Sequence, residues 1–205
     1  MSSFAPVKIY YWQIKARSYA AMAIANACGI PLDPITNPDF PELKKTLPFG
    51  QLPFIEHNGI KLAQSGAINR YLGKIGGISH AEDDARFALS EMLIAEAEDI
   101  FNLMGKANYA SDKAAAYDQL FASDGAMATQ LRYLENLIPE GETYFVSGPK
   151  RSTGGYCVAA AIDLAVNLEP GVLAPFPKLT KFYNAMMNSA AFAGIKDWPM
   201  YLNRK

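Results

Sequence analysis

Between Phe49 and Leu72 the chain reads FGQLPFIEHNGIKLAQSGAINRYL, and the residue types there suit the capture of an extended peptide ligand. Pro53 falls where a strand begins, a position at which its missing N–H removes no ladder bond. A cis Leu52-Pro53 bond would do more: it turns the preceding peptide group outward, so that its N–H and C=O can pair with a peptide as a sheet edge does. Gln64-Ser65 opens a helix, whose first backbone N–H groups have no partner within the helix. Each feature has a plainer alternative, a strand-start proline and a serine that simply caps its own helix. At the end of the first strand Tyr10-Tyr11-Trp12 supplies two phenols. Alternation puts Val7, Ile9 and Tyr11 on one face and Lys8, Tyr10 and Trp12 on the other.

Other chemistries find little support. Cys28 and Cys157 lie far apart with no CxxC and no metal-ligand spacing, and His57 and His80 are the only histidines. No structural disulfide and no metal site is expected, and both cysteines read as reduced, mostly buried thiols of a reducing cytosol. His57, before a hairpin turn, and His80, in a connection, are expected to be exposed and not catalytic. The 19 Lys and Arg balance 20 Asp and Glu, so no basic field exists to hold a nucleic acid. The opening MSSFAPVKIYYWQIKAR lacks a basic region followed by an apolar core, and the run AAMAIANA is far shorter than the roughly 20 residues a bilayer span needs. The expectation is a soluble, cytoplasmic protein with neither a membrane nor a nucleic-acid partner.

The elements that must position these residues change character near residue 76. VKIYYW is a strand, ARSYAAMAIANACGIP a helix closed by Gly29 and Pro31, PLDPIT an extended piece and FPELKKTL a short helix. PFIEH and IKLA form a hairpin through Asn58-Gly59, and Ile68, Tyr71, Leu72 and Ile75 mark one face of the helix after Ser65. This is βαβ followed by ββα. Beyond the connection GGISHAEDD the pattern is helical, with helices expected at about 84–106, 112–137, 158–168 and 179–188. The division is therefore an α/β domain over residues 1–76, a linker over 77–83 and an all-helical domain over 84–205.

The segment LPFGQLPFIEHNGIKLAQSGAINRYL resembles the glutathione-binding half of cytosolic glutathione transferases, most closely the sigma class of prostaglandin D synthases and squid lens crystallins. The resemblance extends over the whole chain and is most specific in the first 75 residues. It implies a thioredoxin-like N-terminal domain, an all-α C-terminal domain, a homodimer, glutathione as co-substrate and detoxifying conjugation of small apolar electrophiles. By the same resemblance Gln64 and Ser65 hold the γ-glutamyl end, Leu52 and Pro53 pair with the cysteinyl part, Gln51 adds a side-chain contact and Lys44 meets the glycine carboxylate. Phe40 stands where the family commonly has tryptophan and offers no N–H to donate. Asp99 resembles the acid that reaches the γ-glutamyl ammonium of the other subunit, although Glu96, Glu98 and Asp99 together are also what a solvated helix face looks like.

Glutathione's thiol, near the ordinary cysteine pKa of about 8.5, is only a few per cent ionised at neutral pH, and the thiolate is the nucleophile. Lowering that pKa by about two units takes roughly 2.7 kcal/mol. One hydrogen bond to a charged group is worth roughly 1.5–3 kcal/mol, so a single aimed hydroxyl supplies most of it. Tyr11 matches the sigma-class tyrosine in register, and Arg17 matches the arginine that follows it. The junction YWQIKARS holds no cysteine, which argues against disulfide exchange. The electrophile is expected between Trp12 and the helical domain near Phe101 and Met104. In SGPKRSTGGYCVAAAIDLAV the chain departs from the family's neat helix cap, leaving Asp163 as the surviving acid and the cap unassigned. The competing expectation is a non-catalytic, crystallin-like or ligand-carrying dimer of the same fold.

Overall fold

The computed structural model of the chain describes residues 4–146 and 151–204. Strands β1 (Val7–Tyr10), β2 (Leu32–Ile35), β3 (Phe54–His57) and β4 (Ile60–Ala63) form one sheet in the order β2-β1-β3-β4. β1 runs parallel to β2 and antiparallel to β3, which runs antiparallel to β4. The expected alternation holds: Val7, Ile9 and Tyr11 are buried, Lys8 and Tyr10 half-buried, Trp12 exposed. Asn58 and Gly59, both at positive φ (49° and 79°), make the two-residue turn between β3 and β4.

Helix α1 (Tyr19–Cys28) follows β1 and ends on Gly29 at φ 63°, α2 (Phe40–Leu43) is a single turn capped by Asp39, and α3 (Ser65–Ile75) follows β4. The helical domain comprises α4 (Asp84–Asn108), α5 (Lys113–Leu120), α6 (Ala126–Leu137), α7 (Thr153–Leu168) and α8 (Pro177–Met187). One apolar core runs through both domains, joining Val7 and Ile9 of the sheet to Leu93, Ile94, Val158 and Ile162 of α4 and α7.

Three expectations need correction. The helix expected over 112–137 is two helices broken at residues 121–125, where Gly125 N–H turns back to the Ala122 carbonyl at 2.8 Å and its extended backbone starts the second helix. α7 begins at Thr153, five residues before the expected start, and runs through Gly154-Gly155. Its cap, unassigned from sequence, is Ser152, whose Oγ accepts the Gly155 N–H at 3.0 Å. Residues 147–150 of the same stretch lie outside the described residues. The glycines belong in this helix because α4 passes so close: a Cβ on Gly154 would lie 2.2 Å from the Ser90 carbonyl oxygen. The third correction concerns the histidines, both buried rather than exposed. His57 Nδ1 meets the Tyr71 hydroxyl at 2.6 Å and Nε2 the Ala5 carbonyl at 3.2 Å, so α3 and the chain before β1 cover it.

Candidate active site

The sheet register brings three of the anticipated residues to one edge. Tyr10 pairs with Phe54 and Phe54 with Ala63, so Tyr11, Pro53 and Gln64 each follow or precede a strand at the same end of neighbouring strands β1, β3 and β4. The Leu52-Pro53 bond is cis. Behind this edge Leu47, Phe54 and Ala63 form a small core of their own, packed by Tyr10, Phe40, Leu43 and Leu52. Phe40 also sets its ring edge-on to Trp12 with centroids 5.7 Å apart, so position 40 serves packing. Lys44 and Gln51 are exposed.

Ser65 does not cap α3. Gln64 is the N-cap, held at φ 74° and ψ 118°, and its side chain makes no cap hydrogen bond. The Ser65 hydroxyl and the first N–H groups of the helix therefore remain available to an anion. From α4, Glu98 comes up against this first turn: a Cβ on Gly66 would meet its Oε1 at 2.0 Å. Asp99, one residue on, is exposed. Burial and the neighbouring Asp99 charge push the Glu96 carboxyl above its usual range.

Tyr11 is 7% exposed, and its hydroxyl oxygen accepts the Arg17 backbone N–H at 3.3 Å. Burial raises its pKa above 10, outweighing the Arg17 N–H and charge that lower it. The phenol thus keeps its proton throughout the neutral range and has it free to donate, with its oxygen already polarised by a donor. Arg17 lays its guanidinium over the Phe101 ring, 4.3 Å from the centroid, and donates to Asn102 Oδ1 at 2.8 Å, spanning from the loop after β1 to α4.

Tyr11 forms part of the wall of a cavity of about 610 Å³. Trp12, Ile14 and Phe101 give it apolar walls, and Lys106, Tyr109 and Tyr201 give it a polar rim. The Tyr109 and Tyr201 hydroxyls lie 2.5 Å apart, joining the end of α4 to the C-terminal segment. Met104, expected here, is fully buried in the core instead. At about 100° per residue, Phe101, Asn102, Gly105, Lys106 and Tyr109 share one stripe of α4, while Met104 falls well to its other side. Sequence reasoning missed Tyr109, whose spacing from Phe101 and Gly105 (i, i+4, i+8) was visible. It also missed Tyr201, for which no local signal existed. Among the described residues no group of three or more His, Cys, Asp or Glu could hold a metal, and no helix is long and apolar enough to cross a membrane.

Two family models, describing the N-terminal and C-terminal domains of glutathione S-transferase, match residues 6–74 and 98–198 in that order. The chain belongs to the glutathione S-transferase family. It is similar to a glutathione S-transferase of Anopheles gambiae, 37% identical over 78 residues that make up 37% of this chain and 38% of that protein. The match thus spans about two-fifths of that relative's length. Over 197 residues, 93% of this chain and 94% of the relative, it is 27% identical to hematopoietic prostaglandin D synthase of Mus musculus. The solved Pi-class glutathione S-transferase of Onchocerca volvulus has the same fold, with a TM-score of 0.82 at 23% identity over 92% of this chain and 90% of that one. The glutathione S-transferase architecture accordingly has a thioredoxin-like sheet domain first and a helical domain second, as read from the sequence.

Proposed function

We propose that this glutathione S-transferase binds glutathione along the Tyr11, Pro53 and Gln64 edge and holds its thiol as a thiolate for attack on small apolar electrophiles. The observation that carries the reading is the Tyr11 hydroxyl: buried, protonated, polarised by the Arg17 N–H, and set in the wall of the 610 Å³ cavity. Gln64, Ser65 and the open N–H groups of α3 take the γ-glutamyl carboxylate, the backbone at Leu52 pairs with the cysteinyl unit, Gln51 adds a contact and Lys44 takes the glycine carboxylate. The Tyr11 O–H donates to the sulfur, whose proton leaves to solvent. The sulfur lone pair then forms a bond to an electrophilic carbon lodged against Trp12 and Phe101, and the displaced electrons go to the leaving group or to an adjacent oxygen. Tyr109 and Tyr201 can hydrogen-bond that oxygen. The long match to a prostaglandin D synthase favours a sigma-like member, with isomerisation and peroxide reduction as further uses of the same thiolate.

Ultraviolet absorbance of the bound thiolate, followed against pH, tests the activation directly. A midpoint about two units below the ordinary thiol value is expected, and a midpoint equal to that of free glutathione refutes the reading.

Ser65→Ala separates the anion seat from the helix cap. Because Ser65 makes no cap bond, melting is expected to change by less than about 0.5 kcal/mol. The glutathione Kd should rise by roughly tenfold or more, the loss of one charge-assisted hydrogen bond. We further propose a homodimer in which Asp99 serves the partner's glutathione. Its exposure within one chain leaves it available, whereas Glu98 is engaged beside Gly66. Asp99→Ala should weaken glutathione binding several-fold while the sedimentation of the dimer is unchanged. Unaltered affinity would return Asp99 to the solvated surface.

A further inference from the structure

Outside the cavity, the most heavily bonded polar cluster of the described residues centres on Lys15, which no part of the proposed reaction uses. The side chain is almost completely buried, 2% exposed, and so is its partner Asp163 at 4%. Lys15 Nζ donates to Asp163 Oδ2 and to Asn167 Oδ1, both at 3.0 Å. The same carboxylate accepts the Tyr19 hydroxyl on Oδ2 at 3.1 Å and the Tyr183 hydroxyl on Oδ1 at 2.9 Å. Burial and the Asp163 charge push both phenols up, so each stays a donor. Asn167 completes the set by donating its Nδ2 to the Asp163 carbonyl at 2.6 Å. Four elements meet here: the loop after β1, α1, α7 and α8.

The backbone of Lys15 carries a second connection. Its N–H donates to the Pro199 carbonyl at 2.8 Å, its carbonyl accepts the Tyr201 N–H at 3.3 Å, and Lys15 and Met200 form an isolated parallel bridge. Lys15 thus stands two residues before Arg17, whose N–H meets the Tyr11 hydroxyl, and is bonded to the segment that brings Tyr201 to the rim of the same cavity. Its side chain ties both to α7, while Arg17 reaches the other way, to α4. A buried ion pair is a poor source of net stability compared with apolar packing, and its best-attested use is to fix one arrangement among several.

We propose that Lys15 is a positioning residue, its bond to Asp163 setting where the Arg17 N–H meets Tyr11 and where Tyr201 closes the electrophile cavity. The proposal rests on Tyr11 as the thiol's hydrogen-bond donor for its catalytic consequence, though not for its structural one. Removing the pair frees the loop and the C-terminal segment together, so thiol activation and electrophile binding deteriorate in one variant.

The test uses the full chain in three forms. Lys15→Met leaves the Asp163 carboxylate buried without its cation. Lys15→Met/Asp163→Leu leaves no buried charge and supplies a folded protein if the single variant melts too low. Lys15→Arg keeps a cation within reach of Asp163. In the double variant, hydrogen exchange at the Arg17 and Tyr201 amides should accelerate at least tenfold, with the amides in the middle of α7 unchanged. The bound-thiol midpoint should rise by about a unit, and KM for the electrophile should rise several-fold. Lys15→Arg should recover most of each change. Wild-type exchange at both amides in the double variant overturns the proposal, whatever the thiol does. Accelerated exchange with wild-type midpoint and KM overturns the catalytic half and leaves Lys15 a brace. An unshifted midpoint in the wild type refutes thiol activation instead, and the exchange result still decides the positioning claim.

Discussion

Tyr11→Phe should return the bound glutathione thiol to the midpoint it has in water and lower kcat/KM by about ten- to a hundred-fold near neutral pH. The substitution removes one oxygen from a wall that is otherwise aromatic and leaves the Arg17 N–H without an acceptor. The loss follows from the roughly 1.5–3 kcal/mol carried by a hydrogen bond to a charged group. Its pH dependence has a definite sign. In the wild type the thiolate forms as pH rises through the lowered midpoint. In the variant the same fraction is reached only near the ordinary thiol pKa of about 8.5. The gap between the two enzymes is therefore widest below the wild-type midpoint and closes above pH 9 or so. Burial holds the Tyr11 phenol above 10, so its own ionisation does not cut activity on the alkaline side of the neutral range. A variant with an unchanged pH-rate profile would remove Tyr11 from the mechanism.

The second large effect falls on stability. Gly154→Ala would place a methyl carbon 2.2 Å from the Ser90 carbonyl oxygen and 2.7 Å from Leu93 Cβ. The first of these is backbone of α4, met from the first turn of α7, so relief requires α4 and the start of α7 to separate. Alanine is intrinsically the better helix former by about 1 kcal/mol, and the clash must exceed that gain. Overpacking of this severity is expected to cost about 3 kcal/mol net, or roughly 6–12 °C in Tm for a chain of this size. Thermal melting checks it. Gly105→Ala, where a Cβ meets nothing within 4 Å, is the matched control and should leave Tm the same or higher.

These two positions also show what the sequence makes readable. Tyr11 could be placed because strand alternation is a local rule, and Val7 and Ile9 fix its phase. The hairpin at Asn58-Gly59 and the end of α1 at Gly29 are read equally well, since positive φ selects the residue type. Gly154 is harder to read for the opposite reason: its place in α7 is set by the approach of α4, a tertiary matter that no local pattern reports. The break in the 112–137 helix coincides with a local turn signal, Ser123-Asp124-Gly125. Phe101 and Met104 stand at helical spacing, yet only Phe101 faces the cavity while Met104 turns into the core. His57 looked like a polar loop neighbour, and only the Tyr71 hydroxyl across the fold explains its burial. Tyr201 and the Lys15–Asp163 pair depend on contacts between residues more than a hundred positions apart, for which a single chain's local pattern contains no instruction.

The alignment of three strand ends has a metric side. Neighbouring strands lie about 4.8 Å apart, so the tips of β1 and β4 are separated by two such steps, about 10 Å. A molecule that engages the open start of α3 and the phenol together must carry its acid group about that far from its sulfur. In the proposed binding mode the γ-glutamyl link supplies that reach. Free cysteine, with both groups on one residue, can occupy either station but never the two at once, so this edge measures length before any chemistry begins.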